Sequence, residues 1–168
     1  MMRRIARLRV PLGFAFGLAA LWLARPTPAS LAVGGVVAGL GELIRLWAAG
    51  HLEKGREVTS SGPYAFTRHP LYLGSTLMGA GLAIAGSSLV VAIVVVAYLA
   101  VTLTAAMRTE EAHLTEKFGP AYPEYRSGRL ETVARPFSLA RAMKNREYRA
   151  VVGLATAFAV LAIKAFLR

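Results

Sequence analysis

Apolar residues along this chain gather into five runs separated by polar segments, at about 10–24, 29–50, 71–86, 88–107 and 150–167. A helix that crosses a bilayer needs about 20 predominantly apolar residues, with a range of roughly 17–25. The second, fourth and fifth runs meet that length, and the first and third need flanking residues to reach it. Two connections are tight turns, Arg25-Pro-Thr-Pro-Ala29 and Gly86-Ser-Ser88. Segments 51–70 and 108–149 are long and polar. Backbone groups in hydrocarbon must pair within the chain, so the short turns predict helical hairpins. The pattern predicts one all-α membrane domain, a bundle of five transmembrane helices over residues 1–168.

Composition strengthens this reading. Of the 168 residues, 55% are apolar and 17% charged, and mean hydropathy is +0.49. So much apolar surface excludes a disordered chain. The absence of cysteine excludes a disulfide scaffold, a thiolate metal site and a cysteine nucleophile. Net charge is +11, and all nine acids are glutamate. Five alternating spans place 17 of the 20 basic residues on one side. These lie in the N-terminus (Arg3, Arg4, Arg7, Arg9), near 45–70 (Arg45, Lys54, Arg56, Arg68) and in 108–149. Arg25, Lys164 and Arg168 fall on the other side. The positive-inside rule makes the richer side cytoplasmic, with the N-terminus inside and the C-terminus opposite. A cleaved signal peptide ending near Thr27-Pro28-Ala29 is the alternative reading of the first run.

Small residues crowd the first three runs. Gly13/Gly17 and Gly35/Gly39 have the spacing that lets helix backbones approach closely. The basic residues of 135–149 (Arg135, Arg141, Lys144, Arg146, Arg149) read as a juxtamembrane segment attracted to anionic lipid rather than to nucleic acid. His51, His69 and His113 lack metal-site spacing, so no metal site is expected.

Four groups of residues ask for more than packing. Glu42 and Arg45 lie three apart inside the second run and share a helix face. They are either a self-neutralising pair or the polar wall of a pocket, because charge at membrane depth usually faces a polar interior. In Gly62-Pro-Tyr-Ala-Phe-Thr-Arg-His-Pro-Leu-Tyr-Leu-Gly74, Pro70 suits the first turn of the third helix. Arg68 and His69 then sit at a helix N-terminus, which favours an anion, and Tyr72 lies one turn further in. Arg and Tyr are also ordinary interfacial anchors. In Arg108-Thr-Glu-Glu-Ala-His-Leu114, Arg108 shares a face with Glu111, and Glu110 with Leu114. Paired carboxylates there suit a cation, or they mark a solvated helix exit. Phe118-Gly-Pro-Ala-Tyr-Pro-Glu-Tyr125 is an aromatic turn, either an interfacial belt or a lid.

These four motifs, in this order from about Gly41 to Pro136, make the chain resemble the isoprenylcysteine carboxyl methyltransferase and phospholipid methyltransferase superfamily of integral membrane enzymes. The resemblance implies a helical bundle with an S-adenosylmethionine pocket built from cytoplasmic loops. Tyr64, Arg68, His69, Pro70, Tyr72 and Gly74 would contribute to that pocket. So would the acids Glu110 and Glu111 and the covering tyrosines Tyr122 and Tyr125. Arg45 matches an intramembrane arginine near the substrate, and Arg45 and Arg108 are the candidate catalytic residues. The pattern runs on to Arg135-Pro136-Phe137, after which the chain departs from it. The implied function is methyl transfer to a lipidic acceptor, of the isoprenylcysteine-carboxylate type or similar, with a phospholipid amine as the alternative. The chemistry agrees: a carboxylate suits Arg68 and His69, and an ammonium or ribose suits the acids. A related nicotinamide-dependent membrane reductase and a small transporter are the rivals.

Overall fold

The computed structural model describes residue 13 and residues 15–130 and 134–167. Arg3, Arg4, Arg7, Arg9 and Arg168, and the start of the first apolar run, lie outside the described residues. Residues 15–23 are helical. Six α-helices follow: α1 (Pro28–His51), α2 (Pro70–Gly86), α3 (Leu89–Phe118), α4 (Ala121–Arg126), α5 (Leu139–Lys144) and α6 (Tyr148–Phe166). A short 3-10 helix, Gly62–Ala65, sits in the α1–α2 connection. Among the described residues there is no strand.

The sequence starts and stops these helices by recognisable means. At α1, Thr27 accepts from the Ser30 amide at 3.1 Å and Ser30 Oγ accepts from the Thr27 amide at 2.9 Å, with Pro28 in the first turn. This reciprocal box satisfies two donors that the helix cannot use itself. At α2, Pro70 occupies the first turn behind His69, where no amide is needed. The α2–α3 turn is made at Ser87, whose φ of 45° is left-handed.

Helices α1, α3 and α6 are long and apolar enough to cross a membrane. Helix α2 is apolar but has 17 residues. At about 1.5 Å per residue, the 30 residues of α3 exceed a hydrocarbon core of about 30 Å, so its polar end from Arg108 projects beyond the apolar part. Large apolar side chains such as Val36, Leu43, Ile93, Val96 and Val152 are more than half exposed, a surface suited to lipid rather than water. A small interior cluster of Ala24, Ala85, Val91 and Leu161 ties the turns at one end to α6. There the Lys164 ammonium donates to the Leu21 and Trp22 carbonyls and so caps the helical segment 15–23.

The closest pairing is α1 with α2, and it uses a different glycine set from the one the sequence spacing suggested. A Cβ on Gly41 would sit 2.6 Å from the Gly74 carbonyl oxygen, and one on Gly74 would sit 2.5 Å from that of Gly41. Gly34 and Gly81 meet Ala85 and Ala38 in the same way. The contact stripe is therefore Gly34, Ala38 and Gly41 against Gly74, Gly81 and Ala85. By contrast, Gly39 and Gly17 have nothing within 4 Å, and Gly35 is only in ordinary contact with Phe158 of α6.

Segment 134–147 folds back on the end of α1. The Ser138 amide donates to the Gly50 carbonyl at 3.1 Å, and Asn145 Nδ2 donates to the Ala49 and Leu52 carbonyls, each at 2.9 Å. Arg141 meets Glu53 at 2.8 Å, and Arg135 meets Glu57 at 2.8 Å and Glu53 at 3.6 Å. Two of the five basic residues read as lipid-attracting are thus engaged within the protein. Lys144, Arg146 and Arg149 are exposed.

Candidate functional site

The start of α2 and the projecting end of α3 face each other. His69 Nε2 lies 3.0 Å from Glu111 Oε1, and an Arg68 guanidinium nitrogen lies 3.4 Å from the same oxygen. An ionised carboxylate only accepts, so Nε2 carries the proton in this bond. The hydrogen bond from His69 is the largest influence holding Glu111 below the usual carboxylate range, with His69 and Arg68 charge adding to it. No side chain caps the N-terminus of α2, and its partial positive charge adds to that of Arg68.

Tyr122, on α4, is 3% exposed, and its hydroxyl lies beside the Glu111 carboxylate. Burial pushes its pKa up to about 12, with the Glu111 charge adding to the effect. Burial likewise pushes Tyr125 up to about 12 and raises Tyr64 further. All three phenols therefore stay protonated near neutral pH and remain donors. Tyr125 uses its proton on the Tyr64 carbonyl at 2.6 Å, which ties α4 to the 3-10 helix. The His69 and Tyr72 rings lie 5.6 Å apart.

Adjacent residues on a helix point about 100° apart, and the two acids divide accordingly. Glu111 lines a cavity of about 370 Å³ with Arg108, Thr115, Tyr122 and Arg126. Glu110 lines another, of about 440 Å³, with Tyr72, His113, Leu114, Lys117 and Phe118. Arg108 with Glu111, and Glu110 with Leu114, thus share faces as helical spacing requires. Pro70 begins α2 and Gly74 packs on α1 beside Arg45; neither lines these cavities.

Arg45 stands apart from this cluster and not with Glu42. Its Nε donates to Glu147 Oε1 at 2.7 Å and Nη2 to Glu147 Oε2 at 3.1 Å. Nη1 donates to Ser75 Oγ at 2.6 Å and to the Leu71 carbonyl at 3.4 Å. Of the two readings of Glu42 and Arg45, the self-neutralising pair does not form, because Glu147 offers Arg45 a two-pronged partner at the start of α6. Both Glu42 oxygens are buried without a hydrogen-bond partner. Sequence reasoning missed Glu147 altogether. It is 102 residues from Arg45, beyond any local spacing rule, and its one signal is being the lone acid in the basic stretch 135–149.

Arg45 and Ser75 close the polar end of a third cavity, of about 400 Å³. Its other walls are almost wholly apolar and include Phe16, Met78, Leu82, Val95 and Leu99. It lies among the apolar parts of the helices, separate from the two cavities flanking α3.

Comparison with known proteins bears on what this arrangement serves. The chain is 35% identical over 101 residues to the cobalt-zinc-cadmium resistance protein CzcN of Cupriavidus metallidurans, covering 59% of this chain and 46% of that protein. It is 30% identical over 99 residues to the nickel-cobalt-cadmium resistance protein NccN of Alcaligenes xylosoxydans xylosoxydans, covering 58% and 46%. The chain thus matches about half the length of these curated relatives. No solved structure matches it. The family model for phospholipid methyltransferase matches residues 31–121, a segment that holds Arg45, the Arg68–Gly74 motif, Arg108 and the paired acids. The chain belongs to the phospholipid methyltransferase family.

Proposed function

We propose that this protein is a five-span membrane enzyme that transfers a methyl group from S-adenosylmethionine to a lipidic acceptor at the cytoplasmic face. The observation that carries the reading is the joining of Arg68 and His69 to Glu111, with an apolar cavity ending in a charged group among the membrane helices. Family membership supports the methyl-transfer chemistry, and the 17-to-3 distribution of basic residues supports the sidedness.

The residues present fit the cofactor. S-adenosylmethionine carries a carboxylate, an ammonium, ribose hydroxyls and a sulfonium. Against these stand the donors Arg68 and His69, which meet the acceptor Glu111, the buried Tyr122 hydroxyl beside it, and Glu110 on the neighbouring cavity. Bound there, the cofactor supplies an activated methyl group. Arg68 and His69 hold a carboxylate at the α2 N-terminus. Glu110 or Glu111 holds an ammonium or a ribose hydroxyl. Tyr122 and Tyr125, on α4, cover the site and exclude water. Ser75 and Glu147 fix Arg45 at the mouth of the apolar cavity, where it orients the polar end of a lipid whose tail lies among the helices. The protein's contribution is largely positional, because methyl transfer is a displacement between two held groups.

Metal resistance is a property named for the two relatives. Among the described residues no group of three or more His, Asp or Glu is placed to hold a metal ion. Calorimetric titration of the purified, folded protein in detergent is expected to show stoichiometric binding of S-adenosylmethionine. A flat titration with folded protein would remove the reading.

A further inference from the structure

An arginine guanidinium has five N–H donors. At Arg45 four of them are placed: Nε and one of Nη2 on Glu147, and both of Nη1 on Ser75 and the Leu71 carbonyl. Those bonds leave one N–H, on Nη2, and Arg45 lines the cavity. Arginine grips a carboxylate through two parallel N–H groups along one edge of its fork. Here the Nε–Nη2 edge is filled by Glu147, and the Nη1 side of the other edge is filled by Ser75 and Leu71. The Glu147 side chain is 6% exposed, so water does little to loosen its hold. Its charge also cancels that of Arg45. Glu42, one turn before Arg45 on α1, adds a carboxylate with no hydrogen-bond partner. Neither acid lines the cavity itself; Arg45 does, and it meets the cavity already paired and neutralised by Glu147.

We infer that Glu147 makes this cavity selective against lipids that end in a carboxylate and for lipids whose polar end is uncharged or cationic. Arg45 then acts on such a ligand as a single hydrogen-bond donor. Glu147 is a specificity-determining residue that works through Arg45. It lies beyond the segment 31–121 matched by the family, so the C-terminal helix, and not the family core, supplies this selection. A prenylcysteine-type carboxylate is disfavoured at this position, because it would meet an arginine whose two-pronged edge is filled and whose charge is cancelled by Glu147. The inference rests on reading the cavity as the acceptor site, but its test measures binding and not methyl transfer.

Equilibrium dialysis of radiolabelled laurate, dodecanol and dodecylamine against the full chain in detergent tests it at pH 8. Protein-free micelles measure partition into the detergent. The wild type is expected to hold dodecanol and dodecylamine at least about tenfold more tightly than laurate. Glu147→Gln, nearly isosteric, is expected to raise laurate affinity about tenfold relative to dodecanol affinity. Laurate binding the wild type as tightly as dodecanol would overturn the inference. So would a folded Glu147→Gln protein with unchanged laurate affinity relative to dodecanol. If that variant unfolds, the wild-type ranking still decides, and Glu147→Asp, which draws the carboxylate back by one methylene, is expected to raise laurate affinity. A protein that ranks the three amphiphiles as expected but transfers no methyl group would sink the proposed function and leave this inference standing.

Discussion

Glu111→Ala is expected to weaken S-adenosylmethionine binding by about 10- to 150-fold, the range set by losing one charge-assisted hydrogen bond of about 1.5–3 kcal/mol. Glu111 is the point where Arg68 and His69 converge, 3.4 and 3.0 Å away. Removing it takes away one acceptor and releases two donors that its carboxylate holds in place. His69→Ala is expected to act in the same direction, since it also frees Glu111 from its strongest hydrogen bond. Lys144→Ala, at an exposed position on α5, is expected to change binding by less than about twofold. The three titrations are compared by calorimetry on protein whose thermal unfolding matches the wild type. Equal effects from all three would separate the cluster from the cofactor.

The largest stability effect is expected at Gly41. A Cβ there meets the Gly74 carbonyl oxygen at 2.6 Å and the Met78 amide nitrogen at 2.7 Å. These are backbone atoms in a helix and have no rotamer by which to yield. Gly41→Val is expected to cost about 3 kcal/mol or more, the upper part of the overpacking range. It should also push α2 away from α1, and with it Ser75 from Arg45. Gly39→Ala, two residues away with nothing within 4 Å, is expected to be close to neutral. Thermal unfolding in detergent compares the two. A tolerated Gly41→Val, or a damaging Gly39→Ala, would mean that α1 and α2 do not meet along this stripe.

That contrast shows where the sequence could be read and where it could not. Pro70 announced the start of α2, and with it the position of Arg68 and His69 at a helix end. The Gly86-Ser-Ser88 turn and the continuation of the fourth apolar run through Arg108 into a polar helix were legible from local spacing. The packing stripe was not. Alanine serves as a small residue as well as glycine, and Gly34, Ala38 and Gly41 hide their periodicity by mixing the two. The split of Glu110 from Glu111 follows from the 100° step of a helix, but the cavities they enter depend on neighbours distant in sequence. Arg45 was marked as unusual by its depth in an apolar run, yet the nearest acid, Glu42, proved the wrong partner. Glu147 reaches Arg45 only because segment 134–147 is anchored to the end of α1 by Arg141, Asn145 and Ser138. No spacing rule joins residues 102 apart. The basic stretch illustrates the same limit, since composition counts Arg135 and Arg141 as free charges while the fold commits them to Glu53 and Glu57.

Incubating membranes that contain this protein with S-adenosylmethionine carrying a tritiated methyl group tests the central claim directly. Label is expected to appear in an organic-extractable lipid, to depend on the protein, and to fall with Glu111→Ala. Membranes bearing folded wild-type protein that put no more label into lipid than control membranes would contradict it.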